Sequence, residues 1–367
     1  MRRIDQDRTR ARLGELVSIE TPSGHAEGLR RAHELLRSWG APVFGRPGEI
    51  VTVDGTSHLL WRPEREPAVL LLGHVDTVWP LGTLAGWPFE VNGNRATGPG
   101  VFDMKAGLVE AFDAVELARD PSRVGLLITG DEEIGSPTSR ALIEKTAAGA
   151  AAVLVFEASF DGAVKTARKG GAFYTVDVAG RAAHAGMAPA EGINAMIELA
   201  HQALVLDRLG DSAKGTTVTP TKATAGTTTN TVPAAASLRV DVRAWEKAEL
   251  ERVHRQLGEL TAHLDGASVR VSGEINRLPL EPASSRDLLA LARRVAEAEG
   301  LSAVEEAAVG GGSDANFTAA LGVPTLDGLG PDGGGPHARH EWTDLDSLAA
   351  RGILVAGMLD ALTTARS

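Results

Sequence analysis

Seven residues stand out for chemistry, and each lies at the end of an apolar run or just beyond it. His74 and Asp76 lie within and after AVLLLGHVDTV, residues 68–78. Asp103 opens a helical pattern directly after GPGVF, and Asp131, Glu132 and Glu133 follow VGLLITG. Glu157 closes AAVLVFEAS. Carboxylates gathered in one place are strongly destabilising without counter-charge. No basic cluster stands beside them in the sequence, so divalent cations are the natural partners. Imidazole and carboxylate ligands suit zinc, cobalt or manganese. One metal takes about four ligands. The inventory here is larger: His74, Asp103, Glu132 or Glu133, Glu157 and a late histidine. That supports two metals about 3.5–4 Å apart, bridged by a carboxylate and a water. Such a water is acidified and poised to attack a carbonyl, with a further carboxylate as general base.

These residues meet only if the run ends converge. The three runs are apolar throughout and do not alternate, as expected of strands buried on both faces of a parallel sheet. DMKAGLVEAFDAVELARD, between two of them, has helical spacing, which makes a βαβ unit. In an open α/β sheet, ligands bind beyond the carboxyl ends of the strands, so one place collects all these acids. Residues 5–40 read as two helices separated by TPSGHAEG.

From about Gly171 the pattern alternates instead, as in AFYTVDVAGR, which marks a sheet covered on one face. A helix near 191–209, strands near 216–226 and 235–244, a helix near 246–264 and a strand ending near 275 follow. The order β-α-β-β-α-β is ferredoxin-like. The first pattern resumes with a helix at 285–299. The expected architecture is therefore α/β. A discontinuous domain, 1–170 plus 280–367, has a mixed, mostly parallel sheet between helices. An α+β domain, 171–279, is inserted in it.

Composition narrows the function classes. The chain has 367 residues, 43% of them hydrophobic and 23% charged, and no cysteine. Disulfides and thiolate metal sites are excluded. The net charge of -11 argues against nucleic-acid binding, which needs a basic face. No apolar run approaches the ~20 residues that span a bilayer. The N-terminus lacks the apolar core of a signal peptide. A cytoplasmic protein without membrane association is expected.

GHVDTV, GPGVFDMKAG, TGDEEIGS, VFEAS, GRAAHAG and GGGSDANF occur in this order. Together they resemble the co-catalytic di-zinc metallopeptidase and amidohydrolase family of glutamate carboxypeptidases, aminoacylases, desuccinylases and dipeptidases. The resemblance covers nearly the whole chain. It implies two zinc ions per chain, with cobalt or manganese as substitutes. His74 and Glu157 would bind the first ion, Glu133 and a late histidine the second, and Asp103 would bridge both. Asp76 would hold His74 in its ligating tautomer, and Glu132 would be the general base. Family members often have a cis peptide after the bridging acid, here Asp103-Met104. Of the two candidates in GGGPHARHEWTDL, His337 is chosen. It stands four residues before Glu341-Trp342, the family's usual spacing, whereas His340 is read as a rim residue.

The inserted domain has matches too. His184, in GRAAHAG, reaches across a dimer in the family to stabilise the oxyanion. Asn230 and Arg243 lie in a segment resembling one that recognises the substrate's carboxylate, and Arg277 matches more loosely. The insertion would serve as lid and dimerisation domain of a homodimer. His25, His33, His58, His201, His254 and His263 match nothing and read as packing or surface residues. Asp131 is expected to support its turn without touching metal.

The activity implied is hydrolysis of an amide or peptide bond, releasing a C-terminal amino acid from a small N-acyl or peptidyl substrate. Within the resemblance, Glu157 leans towards the carboxypeptidase and acylase branches, and together with KTARKGG and GGGPHARHEW the chain looks most like the glutamate carboxypeptidases. An N-acyl-amino-acid amidohydrolase or desuccinylase is the alternative. An inactive ligand-binding homologue fits less well, because the full ligand set and the base are present.

Overall fold

The computed structural model describes residues 2–65 and 69–364. It divides into two compact units, Met1–Ala167 with Glu281–Val309 and Ser313–Ser367, and Arg168–Leu280 with Gly310–Gly312. The fold is mixed α/β, with a mostly parallel central sheet and further antiparallel sheets.

In the first unit, β1 (Glu49–Val53), β2 (Thr56–Trp61), β3 (Val69–His74), β4 (Val124–Thr129) and β5 (Ala152–Val155) share a six-stranded sheet with the late strand Thr325–Leu326. β3 lies between β4 and β5, parallel to both, and Thr325–Leu326 adds parallel to β5. Every residue of β3, β4 and β5 is buried. Their uninterrupted apolar runs therefore reflect burial on both faces, at roughly 1.5–3 kcal/mol for each large aliphatic side chain. The run read from residue 68 begins on a residue outside those described.

β1 and β2 pair antiparallel, and β2 pairs antiparallel with β4. This hairpin is absent from the expectations above. Its sequence signal is Asp54-Gly55, whose positive φ angles of 47° and 84° suit a two-residue hairpin turn.

The helix Ala106–Leu117 crosses from β3 to β4. It is buried on almost every side and packs against the C-terminal helix Leu345–Thr364. Gly107 allows its close approach to the sheet: a Cβ there would lie 2.2 Å from the carbonyl oxygen of Phe156. The N-terminal helices are Gln6–Val17 and Ala26–Val43, the first capped by the Asp5 carboxylate and the second by the His25 ring.

The second unit has four strands, β6 (Gly170–Ala179), β7 (Thr217–Ala225), β8 (Ala235–Ala244) and β9 (Ser268–Arg277), in the order β7-β8-β6-β9, all antiparallel. Helices Ala195–Asp207 and Lys247–Gly258 follow β6 and β8, completing the β-α-β-β-α-β order. Tyr174, Val176 and Val178 face its core, with Leu238, Val240 and Val242 from β8. Among the described residues, no helix is long and apolar enough to cross a membrane.

Candidate metal centre

The parallel strands end together. His74, the last residue of β3, pairs with Thr129, the last of β4, and Glu157 lies two residues beyond β5. Asp103 reaches the same edge from the turn before the helix Ala106–Leu117. Two groups of donors result. His74, Asp103 and Glu157 form one, and Asp103, Glu133 and His337 the other, each with ligand atoms within 4.8 Å of one another. His74 Nε2 is 3.4 Å from Asp103 Oδ1 and 3.6 Å from Glu157 Oε1. His337 Nε2 is 3.4 Å from Asp103 Oδ2 and 3.1 Å from Glu133 Oε2. Asp103 therefore offers one oxygen to each group. The Asp103-Met104 peptide is cis.

The donor chemistry fits a divalent cation. Asp103 Oδ1 and Glu133 Oε1 are buried without a hydrogen-bond partner, an arrangement that is costly unless a positive charge is nearby. Burial alone would raise the Asp103 carboxyl, but His337 and His74 outweigh it and hold it far below the usual carboxylate range. Asp103 and Glu133 push His337 up to about 10. His74 is likewise raised, against its burial, by Asp103 and Asp76. The acids that raise these two imidazoles would equally favour a cation placed between them.

The turn after β4 separates its three acids. Glu132 and Glu133 donate their backbone N–H groups to the Asp76 carboxylate, at 3.1 and 3.2 Å. Their side chains then leave the turn separately, and Glu133 joins the second donor group. Asp131 is fully buried and faces the other way. Its Oδ2 accepts from Thr138 N, Thr138 Oγ1 and Ser139 N, at 2.6, 2.7 and 3.2 Å. Asp76 does two things. Its main-chain carbonyl, 3.0 Å from His74 Nδ1, accepts that proton and so presents Nε2 to the site. Its carboxylate, 3.5 Å from the same nitrogen, holds the acidic turn and accepts from Ser23.

Sequence reasoning passed over two residues that brace this turn. His58 is buried, accepts the Gly130 N–H at Nδ1 and meets Thr138 Oγ1 through Nε2. Asp314 accepts from Thr129 Oγ1 and Ser136 Oγ. GGGSDANF had drawn attention to the second. For the first, burial of a polar side chain in β2 was the signal, and without the hairpin it had no context.

The remaining site candidates lie in the second unit. His184 is exposed, and its Nδ1 accepts from Gly186 N and Met187 N. A neutral ring then carries its proton on Nε2, the tautomer that can donate. Thr231 bridges to His184 and Ala185 N donates to the Asn230 carbonyl, so His184 and Asn230 are neighbours. Arg243 on β8 and Arg277 on β9 both pair with Gly171 of β6, which sets them level across the sheet. Arg243 is also held by Asp241, Nε to Oδ1 at 2.9 Å and Nη2 to Oδ2 at 3.0 Å.

A mostly parallel sheet with a cation-type donor set at the carboxyl ends of its strands is an arrangement that suits metal-assisted hydrolysis. Residues 70–361 match the model described as Peptidase family M20/M25/M40, and the chain belongs to this family of hydrolases of peptide and amide bonds. Carboxypeptidase G2 of Pseudomonas sp. (strain RS-16) is 33% identical over 364 residues, 95% of this chain and 87% of that protein. Succinyl-diaminopimelate desuccinylase of Caulobacter vibrioides (strain NA1000 / CB15N) is 30% identical over 286 residues, 71% of this chain and 72% of that protein. Among solved structures, aminopeptidase PepT of Bacillus cereus shares the fold with a TM-score of 0.76 at 22% identity, over 98% of this chain and 99% of that one.

Proposed function

We propose that the protein is a zinc-dependent hydrolase releasing a C-terminal amino acid from small N-acyl or peptidyl substrates, in the manner of a glutamate carboxypeptidase. The observation that carries this reading is the pair of donor groups sharing Asp103, with Glu132 and Glu133 side by side on one turn. His74, Asp103 and Glu157 would hold one ion, and Asp103, Glu133 and His337 a second. When bound, such ions polarise a carbonyl and lower the pKa of water.

The chain's own residues supply the rest. Glu132, its backbone anchored on Asp76, takes the proton of the attacking water and passes one to the leaving amine. His184 donates from Nε2 to the developing oxyanion. Asn230, Arg243 and Arg277 bind the carboxylate of the leaving amino acid. Arginine suits this task because its planar fork grips a carboxylate through two hydrogen bonds. Asp241 grips the Nε–Nη2 edge of Arg243 and so orients the guanidinium for this task.

The inserted unit serves as lid and as the contact of a homodimer. Met196, Ile197, Leu204 and Val205, exposed on the helix Ala195–Asp207, support that contact. Release of a dicarboxylic acyl group, as in a desuccinylase, is the second reading, favoured by the Caulobacter relative.

A substrate panel with zinc, cobalt or manganese decides between them. N-acyl glutamates should turn over faster than N-acetyl and N-succinyl amino acids. A preference for N-succinyl compounds would establish the second reading. No turnover of any N-acyl amino acid or dipeptide would sink both.

A further inference from the structure

Glu341 lies four residues after His337 and is fully buried, yet it belongs to neither donor group. Its Oε1 accepts from Phe102 N at 2.9 Å and Asp103 N at 3.0 Å. Its Oε2 accepts from Gly100 N at 3.1 Å and Trp79 Nε1 at 3.1 Å. A carboxylate offers about four lone-pair sites, and here four N–H donors use them. Glu341 is a saturated acceptor, unlike Asp103 and Glu133 with their unpartnered oxygens.

The donors are not ordinary ones. Gly100, Phe102 and Asp103 stand at the start of the helical turn Val101–Lys105, where backbone N–H groups have no partner within the helix. Glu341 reaches them from 238 to 241 residues away in sequence. It is itself anchored, because Trp342 pairs with Thr97 and Thr343 with Ala96. One side chain thus ties the backbone of Asp103 to the segment that carries His337.

We infer that Glu341 is the positioning residue for the shared acid. It fixes the main chain of Asp103 where both donor groups need that carboxylate, and it couples that position to His337. The inference rests on the metal-centre reading, and its test separates the two.

Wild type, Glu341→Gln and Glu341→Asp are stripped with a chelator. Zinc is then titrated calorimetrically, with bound metal counted by elemental analysis and folding followed by circular dichroism and thermal melting. Glu110→Gln is the control. Glu110 is a second buried acid, on the helix Ala106–Leu117, and its oxygens accept no hydrogen bond.

Glu341→Gln replaces an acceptor oxygen by an NH2 group facing N–H donors. Zinc affinity should fall roughly 10–100-fold, the usual range for a residue that orients a ligand, with kcat falling and KM changing less than threefold. Glu341→Asp retains the charge but cannot span the donors, and should show the same defect. Glu110→Gln should leave zinc affinity unchanged even if it shifts the melting temperature. Wild-type affinity and stoichiometry in both Glu341 variants would overturn the inference, as would an equal loss in the control. Should Glu341→Gln not fold, Glu341→Asp decides. If neither metal-free variant folds, Glu341 is a general staple of the fold and the positioning role fails. Wild type binding fewer than two ions would refute the two-metal reading alone. A weakened remaining ion in Glu341→Gln would still support positioning, because Asp103 belongs to both groups.

Discussion

Glu132 and Glu133 are neighbours with different surroundings. Burial raises the Glu133 carboxyl, and the imidazole of His337 pulls it back. Glu132 shares the anchored turn but belongs to neither donor group. Replacing Glu132 with Gln keeps its size and removes its basicity. Metal content should be unchanged while kcat falls by about 10²–10⁴-fold, the usual contribution of a general base. Elemental analysis beside a turnover assay checks both, and full activity in that variant would remove the base assignment. Asp131 explains how three adjacent acids coexist. Its Oδ2 takes three donors from Thr138 and Ser139, while its Oδ1 is buried without a hydrogen-bond partner.

At the scale of elements, the βαβ crossing sets the distance between ligands. A Cβ at Gly107 would collide with the carbonyl of Phe156, the residue before Glu157. Gly107→Ala would force the helix that follows Asp103 away from the strand that leads to Glu157. The expected cost is about 1–3 kcal/mol of stability, seen in urea melts, together with weaker zinc binding. Loss of stability with unchanged zinc affinity would show that the two are not coupled.

The inserted unit has an electrostatic clamp of its own. Glu249, buried, is paired with Arg252 and Lys214 and accepts from Thr216. Arg252 first, then Lys214, lower its carboxyl from 4.5 to about 2. The folded pKa lies below the unfolded one, so this stabilisation is complete above about pH 4.5 and is lost as pH falls towards 2. Glu249→Gln should therefore lower the melting temperature at pH 7 and narrow the gap to wild type at pH 3. A gap that does not depend on pH would contradict this. The helix and strand patterns of this unit were readable in sequence because its sheet alternates. The β1–β2 hairpin was harder, since β2 is buried at five of its six positions and so does not alternate.

At the scale of the whole molecule, the proposed metal binding and dimerisation would both couple to stability. A ligand that binds only the folded state stabilises it by mass action, about 2.7 kcal/mol at a hundredfold excess over Kd. Chelation should abolish hydrolysis and lower the melting temperature, and zinc should restore both. A melting temperature indifferent to zinc would count against a folded-state site. Light scattering should return twice the chain mass. Leu204→Glu, in the exposed apolar face of the helix Ala195–Asp207, should return the single-chain mass without unfolding. A monomeric wild type would remove the dimer.

The sequence by itself determined the kinds of donor side chain, their order and the edge of the sheet that gathers them. Those follow from local facts: no cysteine, acids placed where buried runs end, and a helix between two such runs. Tertiary structure alone decided which oxygen of the shared Asp103 faces each donor group, and that the Asp76 carbonyl sets the His74 tautomer while its carboxylate holds the turn. It also decided that Glu341 closes on donors more than two hundred residues away. Periodicity reports the face a residue presents to its own element. It carries no information on which oxygen meets which N–H across long separations in sequence, and that is where this site acquires its geometry.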